Sequence, residues 1–157
     1  MIAAIDPSMH CSGVATYQNN ALQGYCNVTV KGGLSGGDAV LEMARRVGRT
    51  LEGLQIDTLL IEVQNPRGMN ERMGKQALMD LHAVCYSVAA VVGDQSTHTI
   101  FYHPSAWNGG VPKKITHDRM RTKYGIAPAM QEDYLCAIGM IDYYIGAKHG
   151  RNRFRRG

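Results

Sequence analysis

Met1-Ile2-Ala3-Ala4-Ile5-Asp6-Pro7-Ser8 and Ile56-Asp57-Thr58-Leu59-Leu60-Ile61-Glu62-Val63-Gln64 decide how this chain folds. Each is a short apolar run closed by an acid. Residues 2–6 end on Asp6 and Pro7, the signature of a strand stopped by a turn. A run as continuously apolar as 56–62 suits a strand covered on both faces, and therefore a sheet with helices on either side.

Working outward, Gly13–Gln18 and Leu22–Val30 alternate enough to predict two further strands, with Asn19-Asn20 as the tight turn between them. The Gly-rich stretch 32–37 lacks the Gly-Lys-Ser/Thr of a phosphate-binding loop and is expected to connect strand to helix flexibly. Val40, Ala44, Val47 and Leu51 then recur at helical spacing, with Asp38 as the expected N-cap. Beyond Glu62, residues 63–71 are loop-like. Ala77, Leu81, Val84, Val88 and Val91 mark a long helix, serving as a dimer helix or as plain core. Thr97–Tyr102 is a strand, Pro104–Pro112 an irregular loop, Lys113–Tyr124 a basic helix, 125–130 a turn, and Gln131–Ile145 a final helix. The order β-β-β-α-β-α-β-α-α predicts an α/β fold: a mixed sheet of five strands, a three-strand meander followed by two parallel strands, with helices on both faces.

The composition bounds the function. The chain has 157 residues, enough for one sizeable core and too few for two domains with a cleft between them. With 45% hydrophobic and 19% charged residues it is globular rather than disordered. No apolar run approaches the roughly 20 residues of a membrane helix, and the start has no basic region of the kind that opens a signal peptide. Cys11, Cys26, Cys85 and Cys136 are scattered, so neither a zinc site nor a disulfide framework is expected, and a reducing cytoplasm is the natural compartment. Of the 17 basic residues, Lys148, Arg151, Arg153, Arg155 and Arg156 sit in the last ten positions, against 13 acids in the whole chain. The basic excess therefore lies in a tail at 148–157. Such a tail suits a phosphate backbone, or it is a solvated terminus.

Asp6 and Glu62 both end strands, at the edge of an open α/β sheet where ligands bind. If the strands are neighbours, the two carboxylates face each other, and like charges that close call for a cation between them. Oxygen ligands without His or Cys favour Mg²⁺ or Mn²⁺. The alternative is that each acid caps its strand and points to solvent. Glu132 and Asp133 open the last helix, where acids favour the helix dipole. Asp133 also lies beside the buried stripe of Tyr134, Ile138 and Ile141, which would carry it to the same edge. Three or four such carboxylates suit two metals roughly 3.5–4 Å apart and in-line phosphodiester cleavage.

The ordered set Ile5-Asp6-Pro7-Ser8, Ser12-Gly13, Leu60-Ile61-Glu62-Val63-Gln64, Lys75-Gln76-Ala77, Pro104-Ser105-Ala106-Trp107 with Lys113-Lys114, and Glu132-Asp133-Tyr134-Leu135 resembles the ribonuclease H-like superfamily. Within it the chain is similar to RuvC-type Holliday-junction resolvases, especially small bacteriophage versions. The resemblance spans most of the chain. It implies one nuclease domain over residues 1–147 with the basic tail following. It also implies a homodimeric endonuclease that resolves four-way DNA junctions by symmetric nicks in recombination and repair, with two Mg²⁺ or Mn²⁺ ions. The cytoplasm, that of a bacterial host where a phage encodes it, is the expected location. The family's acids match Asp6, Glu62 and Asp133. Its further Asp or His, three residues before the last, is here Met130, which leaves Glu132 as the nearest substitute, about 100° round a helix.

Several basic residues suit a phosphate-binding groove: Arg67, Arg72 and Lys75 around the loop after Glu62; Lys113, Lys114, Arg119, Arg121 and Lys123 on the basic helix; and Arg151, Arg153, Arg155 and Arg156 in the tail. Each is otherwise a solvated side chain. Trp107 is expected in the core rather than as a stacking platform, and His117 at the surface rather than as a proton shuttle. Two other functions stay open. One is a nuclease of the same fold acting on RNA or an RNA–DNA hybrid, which would have to sense the 2′-hydroxyl. The other is a non-catalytic DNA-binding module, favoured by Met130.

Overall fold

A computed structural model describes residues 1–64, 74–129 and 132–148. Arg67, Arg72, Met130, Arg151, Arg153, Arg155 and Arg156 lie outside the described residues. The strands are β1 (Ile2–Asp6), β2 (Cys11–Gln18), β3 (Ala21–Thr29), β4 (Thr58–Glu62) and β5 (His98–Tyr102). The helices are α1 (Gly36–Thr50), α2 (Lys75–Val92), α3 (Pro104–Asn108), α4 (Lys113–Tyr124) and α5 (Tyr134–Lys148). The five strands form one sheet in the order β3-β2-β1-β4-β5. β1 runs antiparallel to β2 and β2 to β3, while β4 lies parallel to both β1 and β5. The mixed sheet and its meander are as expected from the sequence.

Period-2 alternation divides the core into two layers. On one face Ala3, Ile5, Leu59 and Ile61 meet Val40, Met43, Ala44 and Val47 of α1 and Val84, Cys85 and Val88 of α2. On the other, Ala4, Ala15 and Leu60 meet Leu135, Ile138 and Ile141 of α5, with Trp107 of α3 and Met120 of α4. Every residue of β4 is buried, which accounts for the apolar run Leu59-Leu60-Ile61; full burial of each of these three side chains contributes about 1.5–3 kcal/mol. Asn19 and Asn20 have φ of 53° and 62°, the left-handed conformation that a two-residue hairpin turn demands and that Asn tolerates.

Four local expectations are corrected. Ser35, not Asp38, is the N-cap of α1; its φ of −141° is extended, and Asp38 sits in the first turn, where its charge suits the dipole. β4 starts at Thr58 and not at Ile56: its pairing with β1 begins at Ile2–Thr58 and with β5 at Thr58–His98. The segment 104–112 is not wholly irregular: Pro104, pre-set for a first helical position, opens the single turn of α3. Finally, α5 starts at Tyr134, so Glu132 and Asp133 precede it rather than forming its first turn. No helix among the described residues is long and apolar enough to cross a membrane.

Candidate active site

The register of the sheet brings the first two acids together. Ile5 of β1 is level with Ile61 of β4, so Asp6 and Glu62 follow side by side at the same sheet edge. Asp6 shares its parity with Ala4, and Glu62 with Leu60, so both carboxylates face the layer that holds α5. The third acid arrives from the other end of the chain. Asp6 pairs with Gly13 of β2, and a Cβ on Gly13 would collide with the backbone of Asp133 and Tyr134. The bare glycine thus lets the start of α5 lie directly on β2. The Tyr134 N–H there donates to the Asn27 side-chain oxygen at 3.2 Å, satisfying one of the amides that a helix start leaves free. The turn after Asp6 is held by Ser8 and Ser12: the Ser8 N–H donates to the Ser12 hydroxyl at 2.9 Å, which donates in turn to the Ser8 carbonyl at 3.0 Å.

These residues line a cleft of about 550 Å³, which Asp6, Glu62 and Asp133 share with Gln64, Trp107 and Lys113. The Lys113 ammonium stands between two of the acids, 2.9 Å from Asp133 Oδ1 and 3.5 Å from Asp6 Oδ2. Glu62, only 8% exposed, accepts a bond at 2.8 Å from the Trp107 indole N–H on Oε2 and one at 3.2 Å from the Gln64 amide on Oε1.

The electrostatics follow from this crowding. Burial, and then the charge of Asp6, push Glu62 up to about 7, against the pull of the Trp107 bond and Lys113. Burial likewise raises Asp6, with the Asp133 charge adding to it and Lys113 opposing. Asp133 is less enclosed; burial raises it, but the bond to Lys113, the Lys113 charge and a bond from the Cys11 thiol outweigh that and hold it below its ordinary value. For Lys113, burial is overcome by the acids around it, and the ammonium is held firmly charged. Cys136 borders the cluster, its thiol bonded to Asp6 and pushed up by burial and by the Asp6 charge. Cys11 and Cys136 beside the acids went unforeseen, since nothing in the spacing of the cysteines signals it.

Three carboxylates that repel one another, with oxygen the dominant donor, match the chemistry of a hard divalent cation. Among the described residues, however, no group of three or more His, Cys, Asp or Glu side chains is gathered as tightly as metal ligands must be. Lys113 supplies the compensating charge in this arrangement.

Of the other residues singled out, Glu132 does not join the cleft. Arg121 grips both its oxygens, and the Ala129 N–H donates to Oε1 at 2.8 Å. Arg121 also pairs with Asp118 at 2.6 Å, and Lys123 pairs with Asp142. Lys75, Lys114 and Arg119 are exposed. His117 is more enclosed than a surface histidine, its Nε2 3.4 Å from the Cys136 sulfur; burial and the Lys113 charge lower its pKa. Trp107 is in the core, as expected, but its N–H is turned to Glu62.

No protein-family model matches the chain, and no curated protein matches it. Solved structures do. The structure of Thermus thermophilus RuvC covers 96% of this chain and of its own, at a TM-score of 0.68 and 15% sequence identity. T. thermophilus RuvC in complex with a Holliday junction substrate gives a TM-score of 0.71 over the same 96% of each, again at 15% identity. With strand order, parallel pair and helical layers in agreement over nearly the whole length, this chain has the ribonuclease H-like fold of RuvC.

Proposed function

We propose that this protein is a divalent-metal-dependent endonuclease that resolves four-way DNA junctions by symmetric nicking. The observation that carries the reading is the convergence of Asp6, Glu62 and Asp133, from two strand ends and the start of α5, in one cleft with a charged lysine. The likeness to RuvC bound to a Holliday junction supports branched DNA as the substrate.

In this reading Asp6, Glu62 and Asp133 would hold Mg²⁺ or Mn²⁺, two ions in all. The chemistry such ions supply when bound is activation of water as a nucleophile and stabilisation of the leaving 3′-oxygen, giving a 5′-phosphate and a 3′-hydroxyl. Lys113 would place a positive charge at the cleft where phosphate oxygens gain charge. Lys75, Lys114, Arg119 and the basic tail at 148–157 hold the DNA backbone, without reading its bases. Arg67 and Arg72 belong to the same proposed surface. Residues 1–147 form one nuclease domain. Two copies act together, and the outer stripe of α2, where Met79, Ala83, Tyr86 and Ala90 are exposed, with Tyr86 ring-packed on Phe101 at 5.3 Å, supports α2 as the contact between them.

The test is a nicking assay with Mg²⁺ on labelled four-way junction, linear duplex, single strand and RNA–DNA hybrid, using wild type and Asp6→Asn. Paired symmetric nicks in the junction, lost in the variant while junction binding stays, support the reading. Cutting of the hybrid alone replaces the substrate. Tight junction binding with no cutting by either protein replaces catalysis with a binding role. Wild-type cutting rates in Asp6→Asn refute the site.

A further inference from the structure

We propose that Trp107 is the positioning residue of this site: its indole N–H clamps Oε2 of Glu62 and leaves Oε1 as the oxygen that Glu62 offers to a divalent cation. The proposal rests on the cation reading above and goes beyond it by naming the group that orients one of the ligands.

The geometry is over-determined. Glu62 ends β4 level with Tyr102 of β5, and Trp107 lies five residues past Tyr102, on the turn of helix that folds back over the sheet edge. Two bonds tie that segment to the end of β4. His103 Nδ1 lies 2.9 Å from the Val63 carbonyl, and the Trp107 N–H meets Glu62 Oε2 at 2.8 Å. The ring itself is 5% exposed and is seated against α5, where a Cβ on Gly139 would stand 2.7 Å from Cζ3 of the indole. A tryptophan has one polar atom, a donor. Buried, that atom needs an acceptor, and a buried carboxylate needs donors. The core therefore holds the ring, and the ring holds the carboxylate. The two oxygens of Glu62 become unequal: Oε2 is committed to a short bond inside the core, whereas Oε1 accepts the longer 3.2 Å bond from Gln64, a partly exposed side chain that a cation would displace. Partners that orient a metal ligand typically contribute about 10–100-fold to metal affinity or activity.

The chain contains one tryptophan, so its indole N–H gives a single resolvable signal in a ¹⁵N-labelled sample of the full chain. In metal-free protein, Glu62→Gln should move that signal, with no change at Trp107 itself. Magnesium chloride titrated into wild type should move it again, saturably. By calorimetry, Trp107→Phe, which keeps a ring and removes the donor, should bind Mg²⁺ about 10–100-fold more weakly. It should still melt cooperatively and bind the junction as wild type does, with kcat on the junction falling and KM holding. A purely structural role would instead lower the melting temperature and leave Mg²⁺ affinity alone. Gly139→Ala, which displaces the ring but keeps its N–H, should weaken Mg²⁺ in the same direction and stands in if Trp107→Phe does not fold. An indole signal indifferent to Glu62→Gln, or a folded Trp107→Phe that binds Mg²⁺ within about twofold of wild type, overturns the proposal. Wild type that takes up no Mg²⁺ overturns the cation reading and this proposal with it. That failure is distinguishable, because then wild type itself is silent and not only the variant.

Discussion

Gly13→Ala tests whether the approach of α5 to β2 builds the site. The new Cβ would fall well inside 3.0 Å of the Asp133 carbonyl group and the Tyr134 nitrogen, where ordinary contact needs 3.4 Å or more. These are backbone atoms, so no side-chain rotation relieves the clash; β2 and the start of α5 must part. Overpacking of this kind costs about 1–3 kcal/mol, which is roughly 3–9 °C in the melting temperature of a chain this long. The larger effect falls on chemistry. Asp133 is carried away from Asp6 by about 1 Å, a displacement that costs on the order of 10²-fold in rate when it separates reacting groups. The assay is junction nicking under single-turnover conditions alongside a thermal melt. Gly24→Ala is the control: a Cβ there meets only the Thr16 hydroxyl, at an ordinary 3.6 Å, and should leave both measurements unchanged. Gly13→Ala that melts with wild type and cuts within about twofold of it would refute the idea that this close approach sets the position of Asp133.

Three further outcomes are expected. Without metal, Glu62 carries a folded-state pKa of about 7 against an ordinary 4.5. A raised carboxyl stabilises the fold fully below about pH 4.5 and loses that contribution as the pH climbs through about 7, so urea denaturation in chelator should show Glu62→Gln gaining up to about 3 kcal/mol on wild type across that window; parallel pH profiles would contradict this. Lys113→Met strips the cation from between Asp6 and Asp133; with the lysine side chain 54% exposed, solvent screening limits the loss to about 1–2 kcal/mol, measurable as a lower melting temperature at pH 8 that Mg²⁺ partly restores. Glu132→Gln should cut the junction within a few-fold of wild type, because its carboxylate is engaged by Arg121 and the Ala129 amide; a loss like that of Asp6→Asn in the nicking assay would make Glu132 a ligand after all.

How much of this was readable in the residues depends on the range of the interaction that fixes each feature. β1 and the Asn19-Asn20 turn are set by local pattern, and they fall where the pattern puts them; β4 ends on Glu62 as read but starts two residues later. The pairing of Asp6 with Glu62 was legible for the same reason: two buried strands ending in acids, once neighbours, admit little else. The start of α5 was misplaced by three residues, because the first amide of the helix is satisfied by Asn27, a residue of β3 distant in sequence. The Trp107 bond is beyond any local rule. One tryptophan in a loop with prolines and glycines reads as core, and its N–H partner lies 45 positions away. Glu132 misled for the opposite reason, since adjacency to Asp133 says nothing about Arg121, which claims it across the gap between α4 and α5.

The path of α5 back to β2 sets an order in time as well as in space. During synthesis the meander and β4 emerge before the segment that carries Lys113 and Asp133. At roughly 5–20 residues per second, the stretch from Glu62 to Asp133 takes about 4–14 s to make. For most of those seconds Asp6 and Glu62 are both present without the lysine that balances them, and for all of them without the helix that roofs them. Asp6, Glu62 and Asp133 therefore come together only after β1 to β5 and α1 to α4 have all been made.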